Sequence, residues 1–344
     1  MDSSGNWVQT KAPDPGTDQA TIAQARRALA EARYQEAQRI LDEWLRLYER
    51  SKNPILPEAL ELRGDALTAL GQEFQALYDY ERVIKEFPST TTYVVCVERE
   101  LDIAVRYVQG YRRLLFGFRV LAADDLGEEL LIRVQERMPG SRLAERAGIE
   151  LADYYYNDHN LALAAEAYDL FVQNYPNSQY AMKARERRIY ATIGRYKGPA
   201  YDASALLDSK ILIRRFANRY PAEAQSAGLD EALLVRLDES GAEHMLGIAE
   251  WYLRRLDYIS AKYVLRRLIK EHPRTAAAAK ALETMQSKGW SLTPPVTSKK
   301  SRNALVSDAA PTDKPATSPD AGVKSPDQPA PPSAPSPTAP EKGP

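Results

Sequence analysis

The chain has few of the residues from which most catalytic and metal sites are built. Its 344 residues include one cysteine and three histidines. A single cysteine excludes an internal disulfide, and the histidines lack the paired spacing of a zinc site. The sequence also lacks a Gly-x-Ser-x-Gly elbow, a phosphate-binding loop and a dinucleotide glycine fingerprint. We therefore predict no enzymatic activity, no cofactor and no metal.

Long apolar runs and an excess of one charge are absent as well. The formal net charge is −1, so no global field attracts nucleic acid. Basic clusters such as residues 185–188 lie among acidic residues, which favours solvated helix faces over a nucleic-acid surface. No apolar run reaches the roughly 18 residues that a membrane span needs. We predict no nucleic-acid partner and no transmembrane segment, and residues 1–18 show no signal peptide.

A spaced set of residues, in contrast, recurs three times along the chain. The three copies are Ala76-x3-Tyr80-x7-Pro88, Ala164-x3-Tyr168-x7-Pro176 and Ala261-x3-Leu265-x7-Pro273, and the small residues Gly64, Ala152 and Ala249 lie twelve residues before each alanine. This pattern resembles the tetratricopeptide repeat, a helix–turn–helix unit of about 34 residues whose small residues let two helices touch. Such units stack into solenoids that bind other proteins, so the repeat favours a binding scaffold.

Apolar residues at helical spacing, interrupted by proline pairs, predict six helix hairpins and a capping helix. The hairpins run over 20–51, 57–87, 94–138, 142–175, 180–220 and 228–272, and the capping helix over 275–288. The predicted fold is therefore an all-α, right-handed tetratricopeptide-repeat solenoid, with no strand. The most apolar insertion, 111–121, is either an exposed contact for a partner or membrane, or a segment folded back onto the helices.

Composition divides the chain into three parts. Residues 1–18 are polar and form a predicted flexible segment, and residues 19–289 form the predicted solenoid. Residues 290–344 form a predicted disordered tail rich in Pro, Ala and Ser, because the last 54 residues hold 13 of the 23 prolines and few large apolar residues. Cys96 lies among valines and is predicted to be buried.

The last predicted hairpin resembles a known family. Residues 248–275 contain Trp251-Tyr-Leu-Arg-Arg255, a short turn, a second helix with Ala261, and then His272-Pro-Arg-Thr275. They resemble the last repeat of the BamD/ComL-type outer-membrane protein assembly lipoproteins, in which a helix ending in Tyr-Tyr-Leu-Lys-Arg is followed by Tyr-Pro-x-Thr. Residues 161–180 resemble a second repeat of that family.

The resemblance implies a periplasmic accessory subunit at the outer membrane. Such a subunit would bind an Omp85-type barrel subunit and unfolded outer-membrane proteins, and it would be a monomer within a hetero-complex. Family members carry a signal peptide and a lipidated cysteine behind it, whereas the first cysteine here is Cys96. The sequence as given therefore predicts no lipid anchor, and a cytoplasmic location stays open beside the periplasmic one.

The repeat signature also predicts which residues line a groove formed by the first helix of each hairpin. These predicted groove residues are Glu58, Glu61, Asp65, Arg146, Ile149, Asp153, Tyr156, Glu243, Leu246, Glu250 and Leu253. They form either a binding surface for a partner segment or simple solvated helix faces. The main alternative function is a periplasmic or cytoplasmic tetratricopeptide adaptor in cell-envelope or division processes.

Overall fold

The computed structural model describes residues 14–48, 50–198 and 200–292. The first 13 residues lie outside this range, as does almost all of the predicted proline-rich tail, so the predictions for both remain predictions. Within the described residues the chain forms fourteen helices and two short strands. None of the described helices is long and apolar enough to cross a bilayer.

The elements follow one another along the chain in a simple order. They are α1 (Asp18–Ala30), α2 (Tyr34–Tyr48), α3 (Leu56–Ala69), α4 (Glu73–Glu86), α5 (Thr91–Val108), β1 (Arg113–Leu115), β2 (Phe118–Leu121), α6 (Asp124–Arg137), α7 (Arg142–Asn157), α8 (Leu161–Asn174), α9 (Ala181–Gly194), α10 (Ser204–Arg219), α11 (Pro221–Ser226), α12 (Glu231–Arg254), α13 (Tyr258–Glu271) and α14 (Ala276–Ser287).

Helix pairs form the six predicted hairpins, which confirms the all-α repeat fold. The first helices of the hairpins are α1, α3, α5, α7, α9 and α12, and the second helices are α2, α4, α6, α8, α10 and α13. Each helix packs against its hairpin partner, and α1 contacts α3, α3 contacts α5, and α5 contacts α7. Helix α14 packs on both helices of the last hairpin. The short helix α11, between the fifth and sixth hairpins, was not predicted from the sequence.

The repeat signature marks the contact between the two helices of a hairpin. Ala76 and Tyr80 are completely buried, and a Cβ added at Gly64 would lie 2.7 Å from Cζ of the Tyr80 ring. Two helices can approach that closely only where one side chain is absent or very small. The corresponding residues of the second and third copies, Ala152, Tyr168, Ala249 and Leu265 among them, are also fully buried.

The apolar core is divided unequally along the stack. One large cluster connects α1 through α7, and it includes Cys96, whose predicted burial is confirmed. That burial raises the pKa of the Cys96 thiol above its ordinary value. Three smaller clusters follow, over α7–α9, α9–α12 and α12–α14. The first half of the described chain therefore shares one core, whereas the second half is built from separate ones.

The insertion between α5 and α6 is a β-hairpin, so the prediction that the chain has no strand is wrong here. Strands β1 and β2 pair antiparallel, with Leu115 opposite Phe118. The two connecting residues, Phe116 and Gly117, have φ values of 49° and 83°. Positive φ at both positions is the geometry of a type I′ turn, which matches the twist of paired strands. Glycine adopts it readily, whereas phenylalanine is unusual there, so this turn carries no typical sequence signal.

Candidate protein-binding face

Charged side chains connect each first helix to the next over the first five hairpins, from α1 to α9. Arg26 on α1 pairs with Glu58 on α3, and Asp65 on α3 pairs with Arg99 on α5 at 2.8 Å. Asp102 on α5 pairs with Arg146 on α7 at 2.8 Å. Asp153 on α7 pairs with two residues of α9, with Arg187 at 2.9 Å and with Lys183. We call these connections the ion-pair ladder, and the side of the first helices that carries it the first-helix face.

One connection of the ladder is also bonded to the core. The buried Tyr80 hydroxyl donates a hydrogen bond to Oδ1 of Asp65 at 2.8 Å. Arg99 donates from Nε to the same oxygen at 2.8 Å and from a terminal nitrogen to Oδ2 at 3.2 Å. The carboxylate of Asp65 therefore joins a buried phenol on α4 to a guanidinium on α5. Such charge-assisted bonds are stronger than bonds between neutral groups.

The same Tyr–Asp–Arg triad occurs again two hairpins later along the chain, on α7, α8 and α9. The Tyr168 hydroxyl donates to Oδ1 of Asp153 at 2.6 Å, and Arg187 donates to that oxygen at 2.9 Å. Every member lies 88 residues after its counterpart in the first triad. In the third copy of the repeat signature, Glu250 takes the place of the aspartate and Leu265 that of the tyrosine. Because leucine has no hydroxyl, the last hairpin cannot form this triad.

Glu61 has the most perturbed carboxyl group among the predicted groove residues. It lies one turn before Asp65 on α3 and is half-buried. Burial, reinforced by the negative charge of Asp65 and opposed by Arg99, raises the pKa of Glu61 to about 7. Near neutral pH this side chain is therefore able to accept a hydrogen bond as a carboxylate or to donate one as an acid.

Four of the predicted groove residues on α3 and α7 take part in the ion-pair ladder. Glu58, Asp65, Arg146 and Asp153 are all members of it. Tyr156 lies beside Asp153, where the Arg187 guanidinium stands 5.2 Å above its ring. Most of the charges of these residues are therefore already paired within the protein.

Ile149 does not belong to the first-helix face. Its side chain is only 3% exposed and is part of the core cluster shared by α7, α8 and α9. The prediction that it faces a groove is therefore corrected, because α7 is enclosed by helices on two sides and this position points toward them.

The four predicted residues on α12 form a separate group. Glu243 and Glu250 are exposed, and within the described residues neither forms an ion pair. Leu246 is half-buried and packs against the core of α12–α14, and Leu253 is half-buried near the end of the helix. This group is more open to a partner than the ladder residues are.

A cavity of about 580 Å³ opens beside the first triad. It is bounded by α3, α5, the turn between α1 and α2, and the segment that precedes the β-hairpin. Its lining includes Leu29, Asp65, Arg99, Asp102, Arg106 and Tyr111. Charges of both signs with a few apolar groups suit a polar, extended segment better than a hydrophobic ligand.

Several residues of the ladder were missed from the sequence. Arg26, Arg99, Asp102, Lys183 and Arg187 lie on neighbouring first helices, and none of them is among the predicted groove residues. One signal was available, because Arg99 and Arg187 each follow their aspartate by 34 residues, which is one repeat length. Equivalent positions of adjacent repeats lie next to each other in a solenoid, so opposite charges at that spacing indicate an ion pair.

Comparison with known proteins places the chain in a family. The sequence model of the YfiO family, described as outer membrane lipoprotein, matches residues 122–305. That match covers more than half of the chain. The protein belongs to the YfiO family. A tetratricopeptide-repeat model also matches residues 58–90, the segment of the hairpin α3–α4.

Individual relatives of this YfiO-family protein include the outer membrane protein assembly factor BamD of Vibrio cholerae. It is 29% identical over 170 residues, which cover 45% of this chain and 68% of the relative. Among solved structures, the C-terminal part of a tetratricopeptide-repeat protein from Cytophaga hutchinsonii is 14% identical, with a TM-score of 0.39, and the match covers 78% of this chain and 89% of that one. MamA from Desulfovibrio magneticus is 21% identical, with a TM-score of 0.33 and coverages of 60% and 94%.

The family match has a defined position in the fold. It begins at residue 122, directly after β2, and it includes α6 through α14. The YfiO and tetratricopeptide families are protein-binding scaffolds without catalytic activity. Family membership therefore accounts for α6, the last three hairpins and α14, whereas the β-hairpin lies between the two matched segments.

Proposed function

We propose that the protein is an accessory subunit of outer-membrane β-barrel protein assembly, which holds partner segments on its first-helix face. The observation that carries this proposal is the YfiO match over α6–α14. The name of the Vibrio cholerae relative, an outer membrane protein assembly factor, supports the same process. The partners that we propose are an Omp85-type barrel subunit and unfolded outer-membrane proteins, on the periplasmic side of that membrane.

The chemistry of the first-helix face favours segments with exposed backbone donors and polar side chains. Glu61 on α3, and Glu243 and Glu250 on the separate first helix α12, offer carboxyl groups that are in no ion pair within the described residues. Tyr156 on α7 offers apolar surface, and so does Leu253, which lies three residues after Glu250 on α12. A partner strand that has not yet entered a sheet has unpaired N–H groups, and carboxylates are strong acceptors for such donors.

Site-specific crosslinking in cells tests which partner occupies this face. A photoreactive amino acid would replace Glu61, Glu243 or Glu250 in turn, and the crosslinked proteins would be identified by mass spectrometry. The matched control positions are Glu166 on the second helix α8 and Glu283 on α14, which are exposed as Glu243 and Glu250 are. We expect the barrel subunit or its client proteins to crosslink from the first-helix positions. Equal crosslinking from all five positions, or only to cytoplasmic proteins, would contradict the proposal.

Charge reversal at the exposed glutamates separates binding from folding. We expect the double variant Glu243→Lys/Glu250→Lys to recover about tenfold less barrel subunit on co-purification, with an unchanged circular dichroism spectrum, if both carboxylates accept bonds from the partner. The control variant Glu166→Lys/Glu283→Lys should recover as much as the wild type. Reversal of Asp65 and Asp153 is unsuitable for this purpose, because both carboxylates accept bonds from buried tyrosines.

A further inference from the structure

The β-hairpin carries five exposed large apolar side chains within eight residues. Phe116 at its turn is 93% exposed and Phe118 is 72% exposed. Leu114, Val120 and Leu121 are exposed as well. Exposed apolar groups clustered in this way mark a contact with another molecule or with a membrane. We call residues 114–121 the hairpin tip.

The base of the hairpin is fixed to the helices, so the tip is held away from them. Arg119 donates hydrogen bonds to Glu73 at 3.0 Å and to the carbonyl oxygen of Gly71 at 3.1 Å. Glu73 is almost fully buried, and a buried carboxylate without a cation would be strongly destabilising. Arg113 lies 3.4 Å above the Phe74 ring. The alternative that the insertion folds back onto the helices therefore holds only for its base, whereas the apolar side chains of the tip are exposed.

Apolar side chains project from both faces of the hairpin. In the pairing register, Leu114 lies opposite Arg119, and the next pair is Leu115 with Phe118. Successive pairs of an antiparallel ladder point to opposite faces, so Leu114 and Phe118 are exposed on different sides. A protein groove would cover one face and leave the other in water. A lipid bilayer contacts both faces and the turn at once.

The charged residues of the segment that contains the tip are all basic. Residues 103–123 contain Arg106, Arg112, Arg113 and Arg119 and no aspartate or glutamate, although the whole chain has a net charge of −1. Arg106 and Arg112 are exposed. Cations beside an exposed aromatic tip complement anionic headgroups beside an acyl region.

We propose that the hairpin tip inserts into the surface of an anionic phospholipid bilayer. Phe116, Phe118 and Leu114 enter the boundary between headgroups and acyl chains, and Arg106 and Arg112 bind headgroup phosphates. The contact is peripheral, since a hairpin of this length cannot span a bilayer. The tip lies between the two family matches, so this contact is a property of the chain in addition to its family's scaffold role.

A fluorescent label on the tip tests insertion directly. Phe118→Cys provides one exposed thiol for the dye NBD, because the native Cys96 is buried and labels poorly in the folded protein. With vesicles of phosphatidylcholine and phosphatidylglycerol, we expect the NBD emission to increase and shift to shorter wavelength, and high salt should reduce the effect. Vesicles of phosphatidylcholine alone should give a much weaker response. An emission spectrum that anionic vesicles leave unchanged would overturn the proposal.

Vesicle cosedimentation of the full chain tests which side chains of the protein bind the anionic bilayer. Phe116→Asn/Phe118→Ser removes the aromatic groups while keeping a residue that tolerates positive φ in the turn. We expect it to bind anionic vesicles at least about tenfold more weakly, given the free energy of burying two aromatic side chains. Arg106→Gln/Arg112→Gln should also weaken this binding.

The control variant for cosedimentation is Leu47→Ser/Ile259→Ser, which removes two apolar residues that are highly exposed elsewhere. It should bind as the wild type does. If the tip variant binds vesicles as tightly as this control, or if the tip crosslinks to a protein and the wild type binds no vesicles, the proposal is overturned. None of these outcomes depends on whether the first-helix face binds assembly partners.

Discussion

Replacement of Tyr80 by phenylalanine would measure what the Tyr–Asp–Arg triad contributes to stability. The change keeps the buried ring and its contact with Gly64, so it opens almost no cavity. It removes the hydroxyl that donates to Asp65 at 2.8 Å and that lies 3.3 Å from the Thr68 hydroxyl. Burial raises the pKa of Tyr80, so the hydroxyl stays protonated and the loss should not depend on pH.

The expected cost depends on the partners that remain. A hydrogen bond to a charged group contributes about 1.5–3 kcal/mol. Asp65 keeps its bonds to Arg99 after the change, so its carboxylate is not left unpaired. We therefore expect the free energy of unfolding to fall by about 1.5–2 kcal/mol. Tyr168→Phe should cost a similar amount, because Asp153 likewise keeps Arg187 and Lys183. The two tyrosines lie in separate core clusters, so their effects should add to within about 0.5 kcal/mol.

The assay is urea unfolding followed by circular dichroism, combined with hydrogen exchange of peptides from α3, α4 and α5. Repeat solenoids open locally, so the exchange data show where the stability is lost. The control is Tyr78→Phe, two residues away on α4, whose side chain is largely exposed. The reasoning is refuted if Tyr80→Phe and Tyr78→Phe unfold at the same urea concentration and exchange at the same rate.

Two further predictions concern the large core. Burial, reinforced by Glu81 and opposed by Arg137, raises the pKa of Glu100 from 4.5 to about 8. The folded state therefore keeps a proton that the unfolded state releases, so stability should fall between about pH 4.5 and about pH 8. Glu100→Gln should weaken this dependence in urea titrations and leave the part that Glu61 contributes through its own raised pKa. A wild-type profile that is already flat would contradict this prediction. Gly64→Ala should destabilise the protein by about 1–3 kcal/mol, because the added methyl overlaps the Tyr80 ring. An unchanged thermal midpoint would show that the ring moves aside freely.

The sequence predicted the hairpins because the repeat signature records a local steric requirement. A small residue and a large one that must touch, such as Gly64 and Tyr80, leave a pattern that can be read without a structure. The ladder leaves no local pattern, since Asp65 and Arg99 are one repeat apart and each resembles an ordinary surface charge. Ile149 was misplaced because the repeat pattern alone does not show that α7 is enclosed on two sides.

The β-hairpin was missed for a different reason. Its strands have three and four residues, and its turn contains phenylalanine where asparagine is usual, so neither periodicity nor turn chemistry indicated it. What fixes it is the pair of Arg119 and Glu73, residues that are 46 positions apart. The groove as a binding surface, the division of the chain into three parts and the character of the tail stay predictions.

The division of the core has a mechanical consequence. A deformation applied to α1–α7 must distort one continuous apolar cluster, so these helices resist bending as a unit. The three smaller clusters beyond them meet at narrow boundaries, and the last hairpin has no Tyr–Asp–Arg triad. We therefore expect α8–α14 to deform more readily than α1–α7. The β-hairpin belongs to the part of the solenoid that shares one core, so its position relative to α1–α7 should change little when the last hairpins bend.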